Sequence, residues 1–347
     1  MKIAIISDTH YGARRSSKIF HDYFKLFYEN VFFPTLEEKG ISTCIHMGDA
    51  FDNRKSIDFW SLNWAKKNVY DNFKRLGVQV YQLVGNHDCY YKNTNEVNSI
   101  DCLLDTYNNI IPVSSPGEYN ISGFKAFLIP WICQENLEET KNKISKTKAK
   151  IAFGHLEING FKLHPGCIQE KGMDKSFFDR FSYVFSGHYH TRSNDGQIFY
   201  LGNPYQMYWN DCDDIRGFSI FDTETYEIEF VPNPYTMFEK IYYEDNNPSL
   251  FNTEPYKEKI LKLIVRKKTD QKLFEKFVDK LIKTGVHDLK IVENVSVFDD
   301  DVDLDAEKIE DTLTLLNKYI DDSDFSLEKS RVKDLLKEVY LEACEME

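Results

Sequence analysis

Short apolar runs alternate with longer stretches of helical period over the first two thirds of the chain. Lys2–Ser7, Thr43–Met47, Val78–Val84, Lys150–Phe153 and Tyr183–Ser186 are rich in β-branched and aromatic residues and read as buried strands. Between the first two, Ile19, Tyr23, Phe24, Phe27 and Val31 recur at intervals of mostly three and four, which predicts a helix over Ser17–Gly40. A second helix is predicted over Asp58–Leu76, with Asp58 as N-cap and Gly77 as its stop. Two more are predicted over Val97–Thr106 and Glu135–Ser145. Further strands fall near Ile110–Val113, Lys125–Ile129 and Gln197–Leu201, then Gly217–Phe221 and Tyr226–Val231 around a turn at Thr223–Glu224. Alternation first and antiparallel strands later predict an α/β fold, a two-sheet sandwich flanked by helices.

Pro232-Asn233-Pro234 breaks the pattern and closes a domain of residues 1–232. Residues 235–298 read as a small α+β unit: strands at Phe238–Tyr243, Ile260–Val265 and Leu289–Val297, and a helix at Asp270–Lys283. Asp299-Asp300-Asp301 opens a third segment, 299–347, with amphipathic helices near Asp305–Tyr319 and Ser326–Ala343. The last of these puts Val332, Leu335, Leu336, Val339, Tyr340 and Ala343 on one face. An apolar stripe beyond an acidic linker suggests a groove on a partner, against the plainer reading that it packs on the other tail helix.

Composition adds limits. Apolar residues make up 42% and aromatics 15% of 347 residues, enough for one large or two to three smaller folded domains. The longest apolar runs fall far short of the ~20 residues a membrane helix needs, and the N-terminus opens on a strand and not on a signal segment. Seven scattered cysteines without a Cys-x-x-Cys read as reduced thiols and place the chain in a cytoplasm. The formal charge of −13 argues against a nucleic-acid partner until it is divided. Residues 298–347 hold 17 acidic and 6 basic residues, which leaves 39 acidic and 37 basic in the rest. The body is nearly neutral, and bound cations or local basic loops set the sign at a site.

Candidate chemistry sits where the strands end. Val78–Val84 runs into Gly85-Asn86-His87-Asp88; the other four runs lead into Asp8-Thr9-His10, Gly48-Asp49, Gly154-His155 and Gly187-His188-Tyr189-His190. Any one of these could be an ordinary turn. Parallel strands, however, place such ends along one edge, so Asp8, His10, Asp49, Asn86, His155, His188 and His190 should converge. Imidazole and carboxylate donors without thiolates suit Mn²⁺, Fe²⁺ or Zn²⁺, and seven ligands suit two ions. Two ions need a shared ligand, for which Asp49 is the natural candidate, and they activate water for in-line attack on phosphorus. His87 is read as the proton donor to the leaving oxygen, with Asp88 orienting it and raising its pKa.

Taken in order, these five motifs resemble the calcineurin-like metallophosphoesterases. Gly48-Asp49-Ala50-Phe51-Asp52, Ile129-Pro130-Trp131, Asn159-Gly160, Leu201-Gly202-Asn203-Pro204 and Arg216–Asp222 look like the SbcD-type nuclease subunits, and among these the recombination endonuclease subunits of T-even phages. The resemblance implies one metal site of Asp8, His10, Asp49 and His190 and a second of Asp49, Asn86, His155 and His188, with Mn²⁺ as the working ion and Mg²⁺, Fe²⁺ or Zn²⁺ as alternatives. It implies a small domain that caps the nuclease and faces DNA. It also implies a partner, an SbcC-type coiled-coil ABC ATPase gripped by the C-terminal helices, and a pairing of two copies. The combined assembly would degrade double-stranded ends and cut single strands or hairpins in repair, recombination and replication. Many relatives carry a histidine where this chain has Asp52, so a part for that position in placing DNA does not carry over.

Arg14, Arg15, Arg54 and Lys55 follow metal motifs in loops and are candidate phosphate contacts, with solvated surface charge as the plainer reading. Tyr91 and Lys92, with Tyr90, follow Asp88 and are candidates to meet a base or phosphate, or simply a packed loop. His21, His46, His164 and His287 fit no strand end and read as ordinary histidines; Phe59, Trp60, Trp64 and Phe73 read as core. Besides the nuclease, a phosphatase or phosphodiesterase of small substrates fits the motifs, though such a substrate needs neither appended unit. A metal-free scaffold requires lost ligands, and every ligand position is filled.

Overall fold

The computed structural model of the protein describes residues 1–164, 167–268, 270–293, 320–321, 328–333, 335–336 and 339. Residues 1–294 form one compact unit and 295–347 another.

In the first unit the strands are β1 (Lys2–Ile6), β2 (Thr43–His46), β3 (Gln79–Leu83), β4 (Ile110–Val113), β5 (Gly117–Ile121), β6 (Phe124–Ile129), β7 (Ile151–His155), β8 (Lys162–His164), β9 (Cys167–Ile168), β10 (Tyr183–Gly187), β11 (Ser193–Asn194), β12 (Ile198–Tyr200), β13 (Gly217–Asp222), β14 (Ile228–Pro232), β15 (Phe238–Tyr242), β16 (Ile260–Val265) and β17 (Asp288–Glu293). Two six-stranded sheets run in the orders β14-β13-β1-β2-β3-β4 and β11-β12-β10-β7-β6-β5. In the first, the parallel strands β1 to β4 run to one edge and the antiparallel β13 and β14 occupy the other; in the second, four central parallel strands are flanked by an antiparallel strand at each edge. The short β8–β9 hairpin stands apart.

One face of each sheet meets the other. Ile3, Ile5, Ile45, Leu83, Leu128, Phe153, Phe185 and Phe221 fill the space between them. The opposite face of the first sheet packs Ala4, Ile6, Cys44 and Val80 under Phe24, Phe27, Tyr28 and Phe73 of the helices. Strands buried on both faces lose the alternation of a half-exposed strand, which is why they read as continuous apolar runs.

The helices follow prediction apart from π turns at Tyr28–Phe32 and Lys66–Tyr70 and one shortened helix. The first runs Lys18–Phe27, opens into a π turn at Tyr28–Phe32 and resumes over Phe33–Glu38. Pro34 explains the wide turn: it offers no N–H and its ring crowds the carbonyl four residues back. The second begins at Asp58, whose carboxylate accepts from the Ser61 amide at 2.9 Å, and stops at Gly77 with φ +66°. Ser99–Leu103 is a single turn, shorter than the spacing predicts, and Gly117–Ile121 is a strand that the sequence reading missed. Its side chains alternate between half-buried and exposed because it is an edge strand, and that weakens the apolar signal.

Beyond Pro232 the three parallel strands β15-β16-β17 carry the helix Gln271–Thr284 on one face. Phe274, Phe277 and Leu281 pack there on Ile241, Leu261 and Leu263. Gln206 seats this sheet: its carbonyl accepts from the Met237 and Phe238 amides at 2.9 and 2.8 Å. The last predicted strand is described as far as Glu293.

In the second unit, the expected helix over Asp305–Tyr319 lies outside the described residues, as do Tyr340 and Ala343. Residues 329–333 are helical, Lys333 pairs with Asp321 at 2.7 Å, and Leu335 and Val339 are exposed. Among the described residues no helix is long and apolar enough to cross a membrane.

Candidate active site

The loops after β1 and β2 are tied together before any side chain takes part. The Asp8 amide donates to the Gly48 carbonyl at 3.1 Å, His10 to Asp49 at 3.1 Å and Tyr11 to Ala50 at 2.7 Å. Asp8, His10, Asp49 and His188 all hold left-handed backbone, with φ of +52°, +43°, +51° and +83°. Such conformations cost on the order of 1–3 kcal/mol each in non-glycine residues and gather where function demands a fixed geometry. Gly85 and Gly187 permit the close approach. A Cβ on Gly85 would stand 2.2 Å from an Asp49 oxygen, and one on Gly187 2.0 Å from the Ser7 hydroxyl.

These loops bring the seven strand-end residues together, from both sheets. Asp8, His10 and His190 place one ligand-type atom each within 4.8 Å of one another, and so do Asp49, His155 and His188. Asp49 joins the groups: one carboxylate oxygen lies 3.3 Å from His155 Nε2 and 3.8 Å from His10 Nε2, and the other accepts from the His87 amide at 2.8 Å. The Asn86 carbonyl oxygen lies 2.8 Å from His155 Nε2 and 3.0 Å from His188 Nδ1. Backbone and side-chain partners select which nitrogens face inward. His155 Nδ1 donates to the Met47 carbonyl at 2.8 Å, and His10 Nδ1 stands 3.2 Å from Asp52 Oδ1. Each Nε2 is left toward the cluster.

The electrostatics fit a divalent cation pair. His188 and His190 are pushed far down by burial, then by His155 and His10 respectively, so their lone pairs are free. His10 Nε2 and His190 Nε2 face each other at 3.2 Å, close enough to hold one cation between them. Burial raises Asp8, whereas Asp49 is held low despite burial because His155 and His87 lie beside it. For His10 and His155 burial disfavours the charged form. The contact with Asp52 outweighs it at His10, and the Asp49 charge does so at His155, raising both to about 9. In the cation-free chain both therefore carry a proton at neutral pH, and a binding cation must displace it. Cation binding at pH 7 should release up to ~2 protons, and apparent affinity should fall as pH drops below 9. Calorimetric titration of Mn²⁺ in two buffers of different ionisation enthalpy measures this; identical heats would refute it.

His87 and Asp88 depart from expectation. The Asp88 carboxylate is buried and accepts from the amides of Gly85 (2.9 Å), Ala50 (3.1 Å) and Phe51 (3.2 Å) and from the Ser99 hydroxyl (3.1 Å). It splices the two loops and does not orient His87, which points away along the chain. Asp52 does that: its backbone carbonyl accepts from His87 Nδ1 at 2.6 Å. Burial lowers the His87 pKa, the reverse of the expected direction, although the Asp49 charge opposes it. His87 also lies with His10 and Asp49 within 4.8 Å, close enough to reach an ion.

Other side chains were not legible as parts of the site. The Trp131 ring lies 5.2 Å from that of His188 and forms a wall. Arg216, 3% exposed, donates to the His190 and Asn203 oxygens and pairs with Asp211 at 2.9 Å and Asp214 at 3.0 Å. In the sequence it stands out only as the first residue of the Arg216–Asp222 stretch. His46, read as ordinary, sits beneath the site with Nε2 3.0 Å from the Thr9 hydroxyl. His21 accepts from the Gly12 amide at 3.1 Å, and His287 is exposed. Of the candidate contacts, Arg14 and Arg15 are exposed, Lys55 lies 6.0 Å over the Tyr90 ring, and Tyr91 and Lys92 are exposed; Arg54 is half-buried. Trp64 and Phe73 are buried, but Phe59 (89%) and Trp60 (40%) are exposed and are not core. Both lie at the start of their helix, before its buried face begins.

Comparison with known proteins places the sequence in a family. The family profile described as calcineurin-like phosphoesterase matches residues 1–192. The chain is 31% identical over 293 residues to exonuclease subunit 1 of Enterobacteria phage T4, covering 82% of each. Among solved structures, a novel archaeal phosphodiesterase overlaps 67% of this chain and all of its own, at 17% identity and a TM-score of 0.35. A purple acid phosphatase from yellow lupin seeds overlaps 55% of this chain and 38% of its own, at 13% identity and a TM-score of 0.33. The profile spans more than half of the sequence, including every residue of the clustered donor set, and the chain belongs to the calcineurin-like phosphoesterases, hydrolases of phosphate esters.

Proposed function

We propose that the chain is the nuclease subunit of a DNA end-processing complex, acting as a double-strand exonuclease and a single-strand or hairpin endonuclease. The observation that carries this reading is the likeness to the phage exonuclease subunit, which extends past the catalytic sandwich over 82% of the chain. In this reading one ion is held by Asp8, His10, Asp49 and His190 and the other by Asp49, Asn86, His155 and His188, with Mn²⁺ as the working metal. The chemistry such a pair supplies is Lewis acidity, which acidifies water and offsets charge at phosphorus.

The chain's own residues do the rest. Asp49 spans both halves of the donor set. His87, held through Nδ1 by the Asp52 carbonyl, offers Nε2 to the leaving oxygen. Asp88 keeps the two loops in register. Trp131 limits how the substrate enters beside His188. Arg54, Lys55, Tyr91 and Lys92, around the His87 loop, are placed to meet the strand being cut. Residues 235–298 cap the nuclease, and 299–347 dock an SbcC-type ATPase through their helices. A second copy would meet this one at the exposed Phe59 and Trp60.

The test is digestion of end-labelled duplex in Mn²⁺, beside a nucleotide monoester, with and without the ATPase partner and ATP. The expected result is Mn²⁺-dependent shortening of the duplex that the partner and ATP enhance. Rapid hydrolysis of the monoester with the duplex left intact would replace this reading with a small-substrate phosphatase.

A further inference from the structure

The face of the small sheet opposite its helix carries an unusual row. The register pairs Lys240 with Lys262 and Lys262 with Lys290, so three lysines stand side by side across the parallel strands β15, β16 and β17. Neighbouring strands are ~4.8 Å apart, and like charges directly opposite one another destabilise a sheet. Only Lys240 is neutralised, by Asp213 at 2.6 Å. Among the described residues no carboxylate lies within ion-pair distance of Lys262 or Lys290. The next row up, Tyr242, Ile264 and Val292, is half-buried to exposed, so the face leaves the core at the lysine row, one step beyond the packed Phe238 and Ile260.

The row does not end at the sheet. Lys262 Nζ rests 4.0 Å over the Trp209 ring. The adjacent residue, Tyr208, carries the Arg14 guanidinium at 5.6 Å from its ring, and Phe20 carries it at 5.5 Å. Phe238 links the two aromatic supports, at 4.8 Å from Trp209 and 5.8 Å from Phe20. Arg14 lies four residues after His10. Arg14, Arg15 and Ser16 hold φ of +57°, +58° and +59°, a left-handed turn that costs roughly 1–2 kcal/mol per residue in L-amino acids. The chain thus spends strain to present arginines in the loop that follows Asp8 and His10, and cations seated on rings continue from there to the small sheet. Burial, then Lys290 and Lys240, lowers the Lys262 pKa, as expected for a cation that lacks its counterion.

We propose that this strip, from Arg14 across Trp209 to Lys262 and Lys290, binds the phosphate backbone of duplex DNA beyond the step being cut. It rests on the nuclease reading above and adds the surface that carries the uncut part of the substrate. Phosphate contacts fix register and orientation without reading sequence, and each one releases counterions on binding. The strip therefore sets affinity and salt dependence and leaves the hydrolytic centre unaffected.

The test compares the full chain with Lys262→Gln and Lys262→Gln/Lys290→Gln, loaded with Mn²⁺. The probe is a short fluorescent duplex with hydrolysis-resistant phosphorothioate linkages, titrated at several salt concentrations. Each lysine removed should flatten the slope of log affinity against log salt by ~0.9, and the double variant should bind about ten-fold more weakly at low salt. Hydrolysis of bis(p-nitrophenyl) phosphate should proceed at the parent rate in all three. A double variant that binds the duplex with the parent's affinity and slope overturns the strip alone. A parent chain that hydrolyses the small diester and does not bind the duplex at low salt overturns the nuclease reading as well.

Discussion

Replacing His87 with asparagine should leave metal content at the parent level and lower phosphodiester turnover by ~10²–10⁴-fold. The contact between this residue and the metal cluster that geometry guarantees is a backbone one: the His87 amide donates to Asp49 at 2.8 Å, and asparagine keeps that amide. What the substitution removes is the ring, whose Nδ1 is committed to the Asp52 carbonyl and whose Nε2 is the proton source. Burial holds the free imidazole below its usual pKa, but an incoming phosphodiester anion favours the protonated ring. Elemental analysis of the purified variant, set beside its turnover, decides the matter. Because His87 stands within 4.8 Å of His10 and Asp49, the opposite outcome is concrete: lost metal would make it a ligand and not an acid.

Arg216→Met should be the most destabilising change among the residues around the centre, at about 3–5 kcal/mol. The guanidinium is buried against Asp211 and Asp214, and it grips the His190 carbonyl. A thioether of similar length fills the space and leaves two carboxylates uncompensated. Arg216→Lys should recover part of the loss, since one ammonium cannot replace a planar fork with four acceptors. Denaturant midpoints at fixed slope give the stability, and Mn²⁺ stoichiometry tells whether His190 stays in place. A midpoint unchanged in the methionine variant would mean that the aspartates are neutral or solvated in the folded chain.

The fold was legible where burial imposed one pattern. β1, β2, β3, β7 and β10 are covered on both faces, so their sequences are apolar runs, and each leads into one or more of the clustered donors. The ligand set could be read because Gly, Asn, Asp and His at a strand end have few competing reasons to be there. The edge strand Gly117–Ile121 was lost because half of it faces water. The Asp88 assignment failed for another reason. Adjacency to His87 suggested a partnership, yet successive residues in a tight loop point apart, and two amides from the neighbouring loop, with the Gly85 amide of its own, claimed the carboxylate. Asp52 and Arg216 act through residues distant in sequence, and no local period encodes such contacts.

Strand β1 is made well before β13, so one of its two edges waits. Its partner on that side is β13, with Lys2 opposite Asp222 and Ile5 opposite Ser219. At synthesis rates of ~5–20 residues per second, some ten to forty seconds pass before that partner leaves the ribosome. Throughout that interval the nascent chain exposes a row of unpaired amides and carbonyls on an apolar strand, the kind of edge that recruits other chains. Expression in slow, chaperone-rich conditions should accordingly yield more of this protein than rapid induction.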